Sequence, residues 1–470
     1  MVKENEILNQ LDPDTLINNA LELGASYADF RFQLFNNEFL RVENRVLEDY
    51  TSRNFGGYGL RVIVDGAIGY SSSSNFEKKA AKDVIKSAFK SANSFKSKRG
   101  ILADTKPAIF NEKVKIKKDP FSVSPEEKVK LLMELNKTGW ISDEVKNVIT
   151  ILGSSRDYRF FQSSEGAKAT VEVPSIGIAY AVAALVNGNM EFLFDQLGDC
   201  SGYEYIEKND WNKFAIEQAN LAIKTAGAKA PSAGTYPVVI DPELVGILVH
   251  EAFGHAAEAD LVFTGASALK DRLGEQLADE QVTVIDEGIV DGGYFIPFDD
   301  EGVKKGKTVV LENGILKSYM HDRNSAKELN VEPTGNYRAQ DFENQPQVRM
   351  TNTYIGNGSY SFDELLEGVD NGLYIKRRGS TGGQVEVGMG TFTFNGGESF
   401  AIRNGELAEQ VKGVVLSGAF LENLKTVDAV GNDLSITAGY FGACGKGGQQ
   451  AKVGVGGPHI RIREMTIGGK

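Results

Sequence analysis

The sequence predicts an α+β protein with two domains: an N-terminal antiparallel sheet with covering helices, and a glycine-rich, mostly antiparallel β domain that carries one apolar helix. Three observations predict this architecture. The chain has 470 residues, more than a single hydrophobic core usually serves. Its composition, 41% hydrophobic and 24% charged, is ordinary for a globular protein. Glycine is concentrated at one end, with 25 in residues 351–470 and 7 in residues 1–120, which favours turn-dense β structure there.

Local signals predict the first elements of the N-terminal domain. In residues 12–24, an Asp-Pro start and a Gly stop enclose leucines at helical spacing, which predicts a short helix. Two alternating segments follow, separated by residues 36–38, and Asp65-Gly66 is a strong two-residue hairpin signal. These segments predict a small antiparallel sheet.

Helices and further strands complete this domain. A helix at about 76–95 is expected to cover the sheet, and another begins at Ser124, where Glu127 three positions on makes a capping-box pattern. Residues 145–200 return to strand-like alternation, and residues 206–226 have a helical pattern.

The domain boundary is predicted within residues 225–237, which are rich in Ala, Gly, Ser and Pro between two ordered patterns. The N-terminal α+β domain is therefore residues 1–231, and the C-terminal β-rich domain is residues 232–470. The latter opens with one strand and one apolar helix, from 242 to about 260, which Asp241 can cap and in which Pro242 can occupy the first turn. It continues mostly as strands joined by Gly-containing turns.

Charge and targeting signals exclude several classes of function. The net charge is −13 and the pI about 5.1, so binding to nucleic acid is not expected without a local basic patch. The basic run at 76–100 has helical spacing and is interpreted as a solvated helix face. The N-terminus lacks an apolar signal core, and no apolar run is long enough to cross a bilayer. With only two cysteines, Cys200 and Cys444, a cytoplasmic protein is expected.

The most informative segment is the apolar helix, which contains His250, Glu251 and His255. In the familiar zinc-peptidase helix the histidines are four apart and share one face. A spacing of five on a regular helix would splay the two imidazoles by roughly 140°. We therefore predict a π-type turn or a break near Gly254, a residue that tolerates unusual backbone conformation. The alternative is a regular helix that pairs Glu251 with His255 and leaves His250 outside the ligand set.

A catalytic zinc normally has three protein ligands and an open fourth position, so a third ligand must come from elsewhere. Cys444 lies in a glycine-dense loop where Lys446 would favour thiolate, whereas Cys200 has acidic neighbours and is interpreted as a structural thiol. The residues alone leave these candidates open: Glu258, Asp260, His321, His459 and the two cysteines.

This metal-binding helix predicts a specific chemistry. Zinc is favoured over other divalent ions because imidazole and thiolate are relatively soft ligands. It would lower the pKa of its bound water and polarise a peptide carbonyl. Glu251 would act as the general base that takes the proton and returns one to the leaving amine.

Several ordered motifs, namely HEAFGHAAEAD, GILKSYMHDRNSAKEL, PTGNYR, RMTNTYI, VGNDLSITAGYFGACGKGGQ and VGVGGPHIRI, resemble the TldD/PmbA family. The N-terminal segments YADFRF and GGYGLRVIVDGAIGYSSSS are also similar to it. The resemblance is to the metal-binding TldD-type subunit. It implies one Zn²⁺, with His250, His255 and Cys444 as ligands and Glu251 as the catalytic carboxylate.

The resemblance also implies a substrate and a partner. Members cleave unfolded or unstructured peptides, often as a heterodimer with a metal-free PmbA/TldE-type homologue, and a homodimer is the alternative. A peptide could add as a strand to a sheet edge, for which the Gly-rich strands at 380–394 are one candidate, although core hairpins are the favoured interpretation of these strands. Two rival functions remain open, a non-catalytic regulator similar to members labelled as gyrase modulators, and a metal hydrolase of non-peptide amides.

Overall fold

The computed structural model describes residues 2–94 and 100–468. It confirms the α+β class, with an antiparallel sheet and helices in the N-terminal half and predominantly β structure in the C-terminal half. The last residue of the helix predicted at 76–95, and residues 95–99 of the basic run, lie outside the described residues. Among the described helices, none has the length and apolar character needed to cross a membrane.

The N-terminal half is built around one sheet whose strand order is β3-β2-β1-β5-β6-β4, with β7 also paired to β6. All neighbours are antiparallel except β4 and β6. The strands are β1 (Tyr27–Glu43), β2 (Val46–Val64), β3 (Ala67–Ser73), β4 (Ile109–Lys113), β5 (Val145–Ser163), β6 (Lys168–Val186) and β7 (Asn189–Asp199). The helices are α1 (Val2–Leu11), α2 (Pro13–Glu22), α3 (Lys78–Ser94), α4 (Pro125–Thr138), α5 (Glu204–Lys208) and α6 (Trp211–Gly227), with a 3₁₀ turn at Pro120–Ser122.

The helices pack on one face of this sheet because side chains alternate along each strand. Phe30 and Phe32 of β1 pack against α1, α2 and α3, while Leu40 and Val42 of the same strand pack against α4, α5 and α6. These four residues are all even-numbered, so both groups of helices cover the same face. The helix predicted at 206–226 is divided into α5 and α6, because a new cap begins where the Asp210 side chain accepts from the N–H of Lys213.

The opposite face of the sheet carries buried polar side chains that hold the C-terminal half. Arg61 is 1% exposed and contacts Asp29 at 2.5 Å and Glu301 at 2.8 Å. Gln33 accepts a hydrogen bond from the N–H of Phe342. The two halves are thus joined through ion pairs and hydrogen bonds as well as apolar contacts.

The first hairpin of the sheet differs from the prediction. Residues 36–38 do not separate two segments; they lie in the middle of β1 and pair with β2 on one side and β5 on the other. The turn falls instead at Asn44-Arg45, both of which have positive φ (48° and 68°), as a tight two-residue hairpin requires. The hairpin at Asp65-Gly66 is confirmed, with φ of 49° and 79°.

The C-terminal half contains a sheet in which β15, β8, β24, β18 and β16 pair in a closed ring, because β16 also pairs with β15. In addition, β17 pairs with β16 and β19 pairs with β24. A second sheet has the order β11-β10-β9-β14-β23-β20, and two small hairpins are β12-β13 and β21-β22. The strands are β8 (Gly234–Ile240), β9 (Val284–Glu287), β10 (Lys307–Glu312), β11 (Ile315–Leu316), β12 (Tyr337–Arg338), β13 (Gln347–Val348), β14 (Asn352–Ile355), β15 (Asn371–Glu386), β16 (Thr391–Arg403), β17 (Glu406–Val411), β18 (Val415–Ala419), β19 (Val427–Val430), β20 (Ser435–Thr437), β21 (Ala443–Lys446), β22 (Gln449–Lys452), β23 (Gly454–Gly457) and β24 (Ile460–Gly468).

One helix, α7, lies between the two sheets of this half, in contact with β15 of the closed ring and with β14, β20 and β23 of the second sheet. Its apolar side chains Leu244, Val245 and Leu248 belong to the main core cluster. The helices are α7 (Pro242–Leu248), α8 (Ala259–Thr264), α9 (Arg323–Leu329), α10 (Phe362–Glu367) and α11 (Phe420–Lys425), with a π-helical turn at Val249–Gly254 and a 3₁₀ turn at His255–Ala257.

Candidate metal centre

The segment predicted as one helix from 242 to about 260 is not regular. It starts as expected, because the Asp241 side chain accepts from the N–H of Leu244 at 2.9 Å and Pro242 occupies the first turn. After Leu248 it widens into the π-helical turn, in which the N–H of His255 donates to the carbonyl of His250, five residues back. The predicted π-type turn is therefore confirmed, and the regular-helix alternative is wrong.

The widened turn brings the two imidazoles together. Their ring centroids lie 5.3 Å apart with the ring planes at 81°. A turn that accommodates one extra residue places positions five apart on nearly the same face, as four apart are in an α-helix. His250 and His255 are 3% and 8% exposed, so both rings are held inside the protein.

Gly254 occupies the turn for a different reason than expected. Its φ of −58° is ordinary for an L-residue, so the turn does not need glycine's conformational freedom. A Cβ at this position would instead lie 2.1 Å from the Sδ of Met350, which is fully buried. Glycine leaves room for this side chain, which approaches the helix closely.

Cys444 reaches the histidines from β21, 189 residues further along the chain. Its Sγ lies 3.3 Å from the Nε2 of His255. The β21-β22 hairpin is anchored from the other side, since Arg349 donates to the Cys444 carbonyl and Gln347 donates to the Lys446 carbonyl at 2.8 Å. These two contacts hold the hairpin that carries the sulfur from a segment outside the helix.

The donor atoms of His250, His255 and Cys444 all lie within 4.8 Å of one another, and they form the potential metal-binding group found in the part of the chain that the structure describes. Atoms bound about 2.0–2.3 Å from a common zinc ion are roughly 3–4 Å apart. The Nδ1 of His250 is buried without a hydrogen-bond partner among the described residues. Two imidazoles and one thiol at this spacing fit a zinc ion.

A buried carboxylate orients one of these imidazoles. The Nδ1 of His255 lies 2.9 Å from an oxygen of Glu258, whose side chain is fully buried. Because Glu258 accepts at Nδ1, Nε2, on the side that faces Cys444, is the nitrogen available to a metal ion. Such an outer carboxylate is a common support for a metal-ligating histidine.

The electrostatics of the group favour the ionised forms of Cys444, His255 and Glu258. Burial by itself would raise the pKa of the Cys444 thiol, but hydrogen bonds and positive charge from His250 and His255 lower it to about 5. Burial disfavours the charged form of His255, yet hydrogen bonds to Cys444 and Glu258 and their negative charges raise its pKa to about 10. Burial would also raise the pKa of Glu258, but His255 and Lys446 keep it below its usual value. The thiolate of Cys444 and the carboxylate of Glu258 are therefore balanced by a proton on His255 and by the ammonium of Lys446.

Glu251 lies beside the group but differs from it in exposure. Its side chain is 42% exposed, and its Oε2 is 3.9 Å from the Nε2 of His255. It follows His250 directly in the sequence. Its carboxylate is partly exposed to solvent, whereas the three donors are buried. This carboxylate can meet a bound substrate.

The structure places the remaining candidate ligands elsewhere. Glu258 supports His255, as described, and Asp260 contacts Lys446. The Nδ1 of His321 lies 3.1 Å from the hydroxyl of Ser325. His459 lies between Asp433 and Tyr374, with its two nitrogens at 2.6 and 3.0 Å from their oxygens. Cys200 is a free thiol whose pKa burial raises to about 12.

Two supporting roles were missed from the sequence. Glu258 was considered only as a ligand, although its position three residues after His255 is a spacing at which helical side chains interact. Arg349, which anchors the Cys444 carbonyl, had no local signal because its partner lies far along the chain. Lys446 was expected to favour the thiolate, but its ammonium contacts Asp260 and Glu258 rather than the sulfur.

Comparisons with known proteins agree with this picture. Models of three PmbA/TldA metallopeptidase domains match the chain: domain 1 over residues 28–92, the central domain over 118–230 and the C-terminal domain over 233–469. A metalloprotease of Methanothermobacter thermautotrophicus is 35% identical over 96% of this chain and 97% of its own length. A metalloprotease of Methanocaldococcus jannaschii is 38% identical over 95% and 97%. A zinc metalloprotease TldD homolog of Saccharolobus solfataricus is 29% identical over 96% and 99%.

Solved structures share the fold. TldE from Thermococcus kodakarensis superposes with a TM-score of 0.79 at 18% identity, covering 97% of this chain and 99% of the other. A Thermotoga maritima protein described as a proposed modulator of a DNA gyrase has a TM-score of 0.81 at 22% identity, with coverage of 97% and 99%. The family models span most of the chain, and the relatives match it almost end to end. The chain therefore belongs to the PmbA/TldD metallopeptidase family.

Proposed function

We propose that this chain is a zinc-dependent peptidase, the metal-binding TldD-type subunit, and that it hydrolyses unfolded or unstructured peptides. The observation that carries the proposal is the convergence of His250, His255 and Cys444 within 4.8 Å, beside a half-exposed Glu251. The names of the relatives, metalloprotease and zinc metalloprotease, support the same activity.

The three donors would hold one Zn²⁺. A thiolate and two imidazoles form a softer ligand set than carboxylates and suit zinc better than magnesium or calcium. With three protein ligands, one position stays open, as in catalytic zinc sites. When bound there, the ion supplies Lewis acidity toward a water molecule and a substrate carbonyl.

Glu251 would act as the general base. A proton acceptor must reach the reacting water, and among the group's neighbours this carboxylate is both close to His255 and open to solvent. Glu258 is unsuited to this role because it is fully buried and engaged by His255. The two glutamates thus have separate tasks, with Glu251 moving a proton and Glu258 orienting an imidazole.

Burial of the donors supports an extended substrate. His250, His255 and Cys444 are 3%, 8% and 4% exposed, so the curved surface of a folded protein would not reach them, whereas a single extended segment would. A second subunit would close the site further. It would be a metal-free PmbA/TldE-type homologue or a second copy of this chain. A reducing compartment such as the cytoplasm would keep Cys444 available as a ligand.

A quenched unstructured peptide tests the proposal. Wild type should cleave it, and a chelator should abolish cleavage that added zinc restores. Glu251→Gln should keep its zinc while turnover falls by at least about 100-fold, since general-base catalysis contributes about 10²–10⁴-fold. Cys444→Ser should lose zinc, whereas the matched variant Cys200→Ser should retain it.

The outcomes separate the rival functions. Absence of metal-dependent cleavage of any peptide would favour a non-catalytic regulator similar to the proteins described as gyrase modulators. Cleavage of small amides but not peptides would favour the amide hydrolase. Stoichiometric zinc in Cys444→Ser would show that the third ligand is another residue.

A further inference from the structure

A buried ion-pair cluster contacts the candidate metal centre through Glu258, which also contacts His255. Its lysine, Lys446, has no part in the proposed reaction. The ammonium of Lys446 lies 2.7 and 2.8 Å from the two oxygens of Asp260, 3.0 Å from an oxygen of Glu258, and donates to the Val348 carbonyl at 2.8 Å. The Lys446 side chain is 11% exposed and that of Glu258 is fully buried. The ammonium is therefore held by three carboxylate oxygens and one backbone carbonyl.

The cluster joins the two elements that carry the donor atoms. Lys446 ends β21, two residues after Cys444, so its position and that of the sulfur are set by the same short strand. Glu258 and Asp260 follow His255 by three and five residues, at the end of the segment that contains the π-helical turn. The ion pairs thus connect the cysteine strand to the histidine segment close to both.

The same oxygen of Glu258 serves both elements. Its Oε2 lies 2.9 Å from the Nδ1 of His255 and 3.0 Å from the ammonium of Lys446. Any displacement of β21 relative to the helix would pull Lys446 from this carboxylate and leave a buried charge without its cation, which is strongly unfavourable. The orientation of the His255 ring and the position of the strand are therefore coupled through one atom.

We propose that Lys446 is a positioning residue: with Glu258 and Asp260 it forms a clamp that sets the separation of Cys444 Sγ and His255 Nε2. The inference rests on the proposed metal site. Lys446 would align two ligands, whereas the sequence had suggested that its charge stabilises the Cys444 thiolate. Alanine or methionine at this position would leave all three ligands present and misaligned.

Zinc affinity measures this alignment without reference to activity. Competition with a chromophoric chelator at pH 7 would be run on wild type, Lys446→Met and Lys446→Arg. Loss of an outer-shell partner typically weakens metal binding about 10–100-fold, and we expect a loss in that range for Lys446→Met. Lys446→Arg keeps the charge and two-sided hydrogen bonding, so it should recover part of the affinity.

Lys128→Met is the matched control. Lys128 is also a buried lysine, 1% exposed, and pairs with Glu38 in the N-terminal half, away from the metal centre. The Lys128→Met variant should lose stability, as Lys446→Met does, but its zinc affinity should equal that of wild type. Equal affinity of Lys446→Met and wild type, or equal losses in both lysine variants, would overturn the proposal.

Two further measurements keep the test independent of folding and of the proposed function. If Lys446→Met does not fold, Asp260→Asn replaces it, because that side chain is 38% exposed; a weaker loss in the same direction supports the clamp, and no loss overturns it. If wild type binds no zinc, the proposed function fails. The clamp is then tested by hydrogen exchange in the metal-free protein. Faster exchange of amides 443–446 in the Lys446 variant, but not in the Lys128 variant, supports the clamp, and unchanged exchange refutes it.

Discussion

Replacing Gly254 with alanine should destabilise the protein by about 1–3 kcal/mol, the usual cost of overpacking a close-packed interior. The added Cβ would lie 2.1 Å from the Sδ of Met350, more than 1 Å closer than an ordinary contact. Because Met350 is fully buried, its side chain cannot move into solvent. Alanine's better helix propensity offsets at most about 1 kcal/mol. To make room, either the Met350 side chain or the helix that carries His250 and His255 must shift.

Urea unfolding gives the free energy of unfolding, and chelator competition gives the zinc affinity. Both should fall in Gly254→Ala. Met350→Ala opens the space, so the double variant should be more stable than the sum of the single losses predicts, with an interaction energy above about 1 kcal/mol. An unchanged or higher stability of Gly254→Ala, or strictly additive losses, would refute the close-contact explanation and point back to backbone flexibility.

Three other predictions concern residues outside the metal centre. Burial lowers the pKa of His321 to about 4, against about 6.5 in the unfolded chain; between these values only the unfolded state takes up the proton, so the contribution of His321 to stability should fall as pH drops from about 6.5 to 4, by up to about 3 kcal/mol. The difference in unfolding free energy between wild type and His321→Gln should change by that amount across this range, and a difference that does not depend on pH contradicts the assignment. The Cys200 thiol, whose pKa is raised to about 12, should resist iodoacetamide at pH 8 until urea is added; rapid labelling of the native protein would show that it is accessible as thiolate. Arg61→Met leaves Asp29 and Glu301 buried without their cation and should lower the free energy of unfolding by about 3–5 kcal/mol. A loss under about 1 kcal/mol would contradict this expectation and would show that the two halves separate at little cost.

Local signals were sufficient where a structure depends on neighbouring residues. Asp241 and Ser124 cap helices as predicted, because an N-cap needs only a side-chain oxygen and the N–H groups that follow it. The hairpin at Asp65-Gly66 formed because both residues accept positive φ. The π-helical turn was inferred from the five-residue spacing of two histidines, since one ion cannot bind imidazoles that diverge by roughly 140°.

Local signals failed where partners lie far along the chain. Residues 36–38 resemble a turn by composition, but their backbone groups pair with β2 and β5 on both sides. Cooperative pairing of a long strand outweighs the weak local preference of Asn for turns. The closed ring of strands in the C-terminal half likewise depends on β8, β15 and β24, which no local pattern connects.

By itself, the sequence determined the elements with local causes: the caps, the tight turns, the apolar helix with its irregular turn, and the choice of His250, His255 and Glu251 as candidate site residues. The resemblance to a family added Cys444. Only the tertiary structure decided how they are held. It placed Cys444 beside His255 across 189 residues, made Gly254 a contact for Met350, and turned Lys446 toward buried carboxylates. These outcomes depend on packing between distant segments, where burial sets the energy of every charge and contact, and burial is a property of the folded chain.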